Sequence, residues 1–305
     1  MGPADAPCRL SHAAGRCAAG RDVAGFPLAD CWRRPGGKAM QVSLLGTGLP
    51  YPNPRRRGPG YALRAGAVNF AVDCGSGVVH RMVELGLMPN EIDHLFITHL
   101  HSDHYIDLGH FIVSRWIMGD DRPWHIYGPV GVRTMVGQLL ELLRPDLELR
   151  MKIRTVRRKM PDIRVHELTE GPALEIDGVK VTAFDVAHYP LDQAFGYLFE
   201  TRDRRIVLSG DTSPCENLIR HAHRADILIH ECVQYEKWTS PHIDRSHTPH
   251  AHTSPERLAL VARDAEPGLL VTTHMLPDSE PRELGEIIRR DYAGRLVIGE
   301  DLMTF

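Results

Sequence analysis

No apolar run in this 305-residue chain approaches the ~20 residues that a bilayer-spanning helix needs, so no membrane contact of that kind is expected. Cys8, Cys17, Cys31, Cys74, Cys215 and Cys232 form no Cys-x-x-Cys pair and no regular framework. That argues against a thiolate zinc ribbon or a disulfide scaffold, and suits free thiols in a reducing cytoplasm. An excess of one charge is also missing: 36 Lys and Arg stand against 39 Asp and Glu, for a net charge of −3. A surface that binds nucleic acid all over is thereby excluded, and any polyanion contact must be local. Residues 1–38 lack hydrophobic periodicity and the apolar core of a secretory signal. They read as a disordered extension, with the folded domain spanning 39–305.

What the chain does have is histidine, 18 residues of it. Three lie in Thr98-His99-Leu100-His101-Ser102-Asp103-His104, directly after the apolar run Leu95-Phe96-Ile97. In an extended segment His99 and His101 point the same way and can reach one ion. Asp103 and His104 follow where the chain turns and can reach a second. Neutral imidazole with carboxylate suits zinc, and manganese or iron less closely.

Three further candidates close buried β-runs, where loops carry chemistry. His188 follows the strand Val179–Asp185, Asp211 follows Arg205–Leu208, and His274 follows Leu269–Thr273. Taken singly, His188 could be a structural histidine, Asp211 a helix cap and His274 a loop residue. The segment Ser246–Glu256 adds three imidazoles ahead of a helix, with Ser254 placed to cap it and Pro255 at its first position.

The remaining pattern is strand-rich with helices following, and it occurs twice. Gln41–Leu45, the hairpin Tyr61–Arg64 with Val68–Asp73, and His94–Thr98 read as strands; Asp103–Met118 and Val132–Leu143 read as helices. In the second half the turn Asp177-Gly178 joins two strands, and helix–strand units follow to Ile298. Two sheets face to face with helices outside are expected, a four-layer αββα sandwich of the α/β (α+β) class. The stretch 119–171 is expected to cover the histidine loop as a lid. Within 150–164, seven Lys and Arg face only Asp162. They read either as a solvated edge strand or as a phosphate-binding patch.

From Gln41 to Phe305 the chain resembles the ribonuclease Z and arylsulfatase-like branch of the metallo-β-lactamase superfamily. The resemblance rests on His-x-His-x-Asp-His, on Gly46-Thr47-Gly48 and Asp73-Cys74-Gly75, and on the His188, Asp211, His274 succession. It implies two divalent ions, most simply zinc. His99, His101 and His188 would hold one; Asp103, His104 and His274 would hold the other; Asp211 would bridge them. Asp73 would orient a ligand from behind. A metal-bridging hydroxide would attack an ester, with Asp103 and His252 as catalytic residues, and His252 would serve the leaving group.

The resemblance implies a phosphodiester first, small or nucleotide-like. A tRNA 3′-processing endoribonuclease, an arylsulfatase or a lactonase could use the same centre, and a non-catalytic metal-binding regulator is the alternative of another class. The long tRNA-gripping arm of ribonuclease Z would fall between His188 and Asp211, and that interval holds only a strand pair and a turn. This weighs against a nucleic-acid partner. A homodimer is compatible with the resemblance.

Overall fold

The computed structural model describes residues 19–21, 27–29, 32, 40–118, 122–153, 159–237 and 246–305. Most of the expected extension 1–38 lies outside them. Its described pieces are the short strands β1 (Ala19–Arg21) and β2 (Pro27–Ala29), paired antiparallel, and a buried Trp32.

The first half of the chain builds a six-stranded sheet. Its strands in order are β3 (Gln41–Gly46), β4 (Gly60–Ala65), β5 (Val68–Val72), β6 (His94–Phe96), β7 (Trp124–Gly128) and β8 (Ile163–Glu167). The pairs from β5 to β8 are parallel. The second half builds a seven-stranded sheet from β9 (Gly171–Ile176), β10 (Val179–Asp185), β11 (Phe195–Glu200), β12 (Arg205–Leu208), β13 (Ile227–Glu231), β14 (Leu270–Thr273) and β15 (Leu296–Ile298), and β12 to β15 run parallel.

Alternation along the strands sends Val42, Leu44, Leu63, Phe70 and Phe96 from one sheet against Val181, Phe195, Tyr197, Phe199 and Ile229 from the other. The opposite face of the first sheet is covered by α1 (Val78–Leu85), α2 (Leu108–Ile117) and α3 (Val132–Ile153). That of the second is covered by α4 (Glu216–Ala222), α6 (Pro255–Ala265) and α7 (Pro281–Ile288), while the single turn α5 (Thr248–Ala251) stands before α6. The arrangement is the expected αββα sandwich. Residues 302–305 return to pair with β3, where Leu44 N–H donates to Met303 O at 2.9 Å and Phe305 N–H to Val42 O at 2.9 Å. Among the described residues no helix is long and apolar enough to cross a membrane.

Two helix boundaries differ from expectation. The helix expected over Asp103–Met118 begins only at Leu108, preceded by a 3₁₀ turn at Ser102–His104. The reason is a crossed pairing: Cys74 N–H donates to His104 O at 2.7 Å and Asp107 N–H to Cys74 O at 3.0 Å. Those groups are thereby withheld from a helix ladder. The helix expected to stop at Leu143 runs through Pro145 to Ile153, anchored beyond the proline by the buried Leu147. The stretch 119–171, expected as a lid, supplies β7, α3 and β8 to the first sheet and its helix layer. Of its basic residues, Arg150 and Lys152 lie on α3, where Arg150 pairs with Asp146, and Arg164 lies on β8 and pairs with Asp162. Residues 154–158 are outside the described residues.

Candidate metal centre

Each candidate ligand sits just past the carboxyl end of a strand, where neighbouring loops diverge and leave a crevice. The His99–His104 loop follows β6, His188 follows β10, Asp211 follows β12 and His274 follows β14. The two sheets are stitched beneath the crevice by Phe195 N–H, which donates to Thr98 O at 2.9 Å.

Close backbone approach is what Gly46 and Gly75 permit. A Cβ on Gly75 would fall 2.4 Å from Asp103 O, and one on Gly46 would fall 1.8 Å from Gly58 O. Thr47 between these turns is tied to the opposite sheet, because its carbonyl accepts Met275 N–H at 2.9 Å, beside His274. Asp73 and His274 both hold left-handed backbone, at φ 58° and 53°. Such strain costs on the order of 1–3 kcal/mol per residue and persists only where surrounding bonds over-determine it.

Asp73 shows how. It is fully buried, and it accepts Thr98 N–H at 2.9 Å, Thr98 O–H at about the same range (3.0 and 3.1 Å), and His104 Nδ1–H at 2.8 Å. With Nδ1 donating, the lone pair of His104 lies on Nε2, which faces the crevice. His188 is set in the same way, since its Nδ1–H donates to Ala251 O at 2.7 Å. For His99 the partner is Thr98 Oγ1 at 3.0 Å. A ring N–H held from behind fixes the tautomer that a metal ligand needs.

The freed nitrogens converge. His101 Nδ1 lies 3.1 Å from His99 Nε2 and 3.0 Å from His188 Nε2. Asp211 Oδ2 lies 3.3 Å from His104 Nε2, 3.3 Å from His274 Nε2 and 3.9 Å from His99 Nε2. Asp103 Oδ2 lies 3.4 Å from His274 Nε2 and 3.6 Å from His104 Nε2. The trio His99, His101 and His188 thus forms one cluster and Asp103, His104 and His274 a second, with Asp211 also in reach of His99 and His104. All seven sequence-predicted ligand side chains are at the crevice.

Burial and charge here suit a cation. Burial pushes His188 down to about 4 and, with the neighbouring His104, holds His99 well below its ordinary value, so both are neutral donors. Burial would also lower His104, but Asp211, Asp73 and Asp103 outweigh it and hold that imidazole well above its ordinary range, so a divalent ion would displace the proton that these carboxylates favour on Nε2. Burial would raise Asp211, yet the imidazoles of His274 and His104 keep it well below the usual carboxylate range. His104 Nε2 is buried without a properly directed hydrogen-bond partner. A buried nitrogen that faces two carboxylates without a well-directed hydrogen bond to either is where a divalent ion fits.

His252 stands beside the clusters, with one ring nitrogen within 4.8 Å of the ligand atoms of His188 and Asp211. Its Nδ1 pairs with Glu231 Oε1 at 2.9 Å. Burial opposes charge there, but Glu231 outweighs it and raises His252 to about 9. Ser254 caps α6 as expected, and Thr253 O–H donates to Thr212 O at 2.6 Å, tying this loop to that of Asp211. Glu231 was not among the expected residues, nor was Thr98. Glu231 ends β13 after the apolar run Ile227-Leu228-Ile229 and His230, the same strand-end signal that marked the candidate ligands. Nothing in the sequence marks Thr98 beyond its place ahead of His99. His247 and His250 fall outside the clusters, with His247 packed on Tyr189 at a ring distance of 5.3 Å.

Residues 40–250 match the family model described as anti-Pycsar protein Apyc1. A Mycobacterium bovis (strain BCG / Pasteur 1173P2) protein named Ribonuclease Z is 34% identical over 270 residues, covering 86% of this chain and 96% of that protein. One from Mycobacterium sp. (strain KMS), with the same name, is 36% identical over 269 residues, covering 86% and 94%. The chain belongs to this ribonuclease Z-like, Apyc1-matching family. Solved structures with the same fold include the metallo-β-lactamase fold protein YhfI of Bacillus subtilis, at TM-score 0.68 and 21% identity over 87% of this chain and 98% of that one. The human short-form tRNase Z gives TM-score 0.65 and 24% identity over 87% and 98%. The sandwich described above is thus the metallo-β-lactamase fold.

Proposed function

We propose that the chain is a two-metal hydrolase that opens a phosphodiester bond in a small or nucleotide-like substrate. The observation that carries this reading is the convergence of five imidazoles and two carboxylates at one crevice, beside a separate Glu231–His252 pair. His99, His101 and His188 would hold one ion, Asp103, His104 and His274 the other, and Asp211 would lie between. Zinc suits this donor set best, and manganese or iron would be tolerated. Bound there, the ions supply an activated water and positive charge for the attacked centre and leaving oxygen.

The chain's own groups do the rest. Asp103, less buried than Asp211, would orient the attacking water through its second carboxylate oxygen. His252, with Nδ1 anchored on Glu231, would offer its other ring nitrogen as proton donor to the leaving oxygen. The relatives' name, ribonuclease, denotes cleavage of a phosphodiester, which supports that bond over a sulfate ester or lactone. Three cysteines described as free, Cys74, Cys215 and Cys232, support a cytoplasmic setting.

A pre-tRNA substrate is the second reading, favoured by the near full-length match to proteins named Ribonuclease Z. The test is a panel of bis-p-nitrophenyl phosphate, p-nitrophenyl sulfate, a homoserine lactone and a pre-tRNA, run beside metal analysis. Turnover of the phosphodiester with two bound ions supports the proposal, and cleavage of the pre-tRNA alone favours the second reading. Hydrolysis of only the sulfate or lactone overturns both, and two bound ions with no turnover at all would make the chain a non-catalytic metal binder.

A further inference from the structure

A second group of ligand-type side chains lies where α1 and α2 begin, apart from the crevice. His80 is the third residue of α1, Asp107 is the N-cap of α2 and His110 is the third residue of α2. One donor atom from each lies within 4.8 Å of the other two. His110 Nδ1 is 3.3 Å from Asp107 Oδ1, and the rings of His80 and His110 are 5.1 Å apart at 49°.

The carboxylate is not free to swing away. Its second oxygen accepts Val79 N–H at 2.9 Å, and the Asp107 backbone N–H donates to Cys74 O at 3.0 Å. Both imidazoles are exposed, so an ion could arrive from solvent and keep water in its remaining positions. Two imidazoles and one carboxylate are a donor set for borderline divalent ions, zinc above all.

We propose that His80, Asp107 and His110 form a zinc-class cation site of their own, distinct from the two-metal centre. An ion there bonds α1 to α2 through Asp107. The same residue is linked by Cys74 to the metal loop, because Cys74 N–H donates to His104 O at 2.7 Å. A cation at this place therefore steadies the turn that carries Asp73 and the backbone of His104, without touching substrate. Asp107 and His110 alone would make no more than a surface ion pair; His80 is what converts them into a three-donor site.

The test compares the full-length wild type with a His80→Ala/His110→Ala variant. Both are equilibrated against the same zinc buffer near pH 7.5, and bound zinc is counted by elemental analysis. One equivalent fewer in the variant is expected, as is loss of one equivalent of cobalt d–d absorption without any change in thiolate-to-cobalt charge transfer, which excludes Cys8, Cys17 and Cys31 as its source. An equal zinc count in the two proteins overturns the proposal. Because both histidines are exposed, folding should survive; His80→Gln alone is the check, and it should weaken the same equivalent at least tenfold. The difference between wild type and variant does not depend on how many ions the crevice holds or on whether any ester is cleaved.

Discussion

Replacing Asp73 with asparagine separates the shape of this buried side chain from its charge. Asparagine tolerates the left-handed backbone at φ 58° that alanine would resist, so the variant keeps the turn. It cannot keep the bonds. Asp73 presents two acceptor oxygens to three donors, Thr98 N–H, Thr98 O–H and His104 Nδ1–H. If the new amide group faces Thr98 N–H, two donors confront each other. If it faces His104, it demands an unprotonated Nδ1 and moves the ring proton to Nε2, the atom that faces Asp211 and Asp103. Either way a buried donor loses its acceptor, at about 1–3 kcal/mol. Metal affinity should fall about 10–100-fold, as when the outer partner of a ligating histidine is lost, which is about 1.4–2.8 kcal/mol at tenfold per 1.4 kcal/mol. Competition with a fluorescent chelator measures the affinity, and thermal unfolding of chelator-treated protein measures the first cost. Two ions bound as tightly as in the wild type would refute the hydrogen-bond reading of Asp73.

Other perturbations follow the same logic. His101→Ala removes the nitrogen shared between His99 and His188 and should abolish turnover with loss of bound metal; a fully loaded, active variant would show the cluster to be misassigned. His252→Ala should retain both ions while turnover falls about 10²–10⁴-fold, the usual worth of an acid–base group, most for poor leaving groups; loss of metal instead would make His252 a ligand. Gly75→Ala places a Cβ 2.4 Å from Asp103 O, and the forced shift should lower stability by about 1–3 kcal/mol and loosen metal at the loop, read by denaturant unfolding. His94 on β6 faces Tyr127, His125, His166 and nearby Asp93. Burial and the neighbouring His125 lower it to about 4 from its ordinary 6.5, so the unfolded chain binds the extra proton first. Stability tied to this ring is complete above about pH 6.5 and is lost as pH falls toward 4. The thermal midpoint of His94→Gln, followed over that window in one metal buffer, should fall less than that of the wild type.

Most of the architecture was legible because the chain states it in two periods, alternation for strands and near-helical spacing for helices. The side chains that meet at the crevice were legible because each polar residue interrupts an apolar run at its end. What escaped depends on contacts between distant segments. Asp103–Asp107 looks helical by composition, and only the crossed bonds of Cys74 with His104 and Asp107 keep it out of α2. Pro145 looks like a stop, and only the burial of Leu147 carries α3 past it. Glu231 shares its strand-end position with the expected ligands, but its pairing with His252 joins residues that are 21 apart in sequence. Asp107 and His110 stand three residues apart, but His80 lies on another helix, so no local spacing announces the trio.

The centre draws its side chains from both halves of the chain: His99 to His104 leave the first sheet, while His188, Asp211 and His274 leave the second. An ion held by both sets is a crosslink between the halves. Ligand linkage adds roughly 2.7 kcal/mol to the folded state at a hundredfold excess over the dissociation constant, and here that increment falls on the contact between the two sheets. Loading therefore adds to a coupling that the shared core already provides. The sheets already share one buried core, so stripping the ions should lower the free energy at which the loops of the crevice and the strand ends beneath them open, more than that of the core strands. Hydrogen exchange would register this as protection regained first at the amides around the crevice when metal is restored.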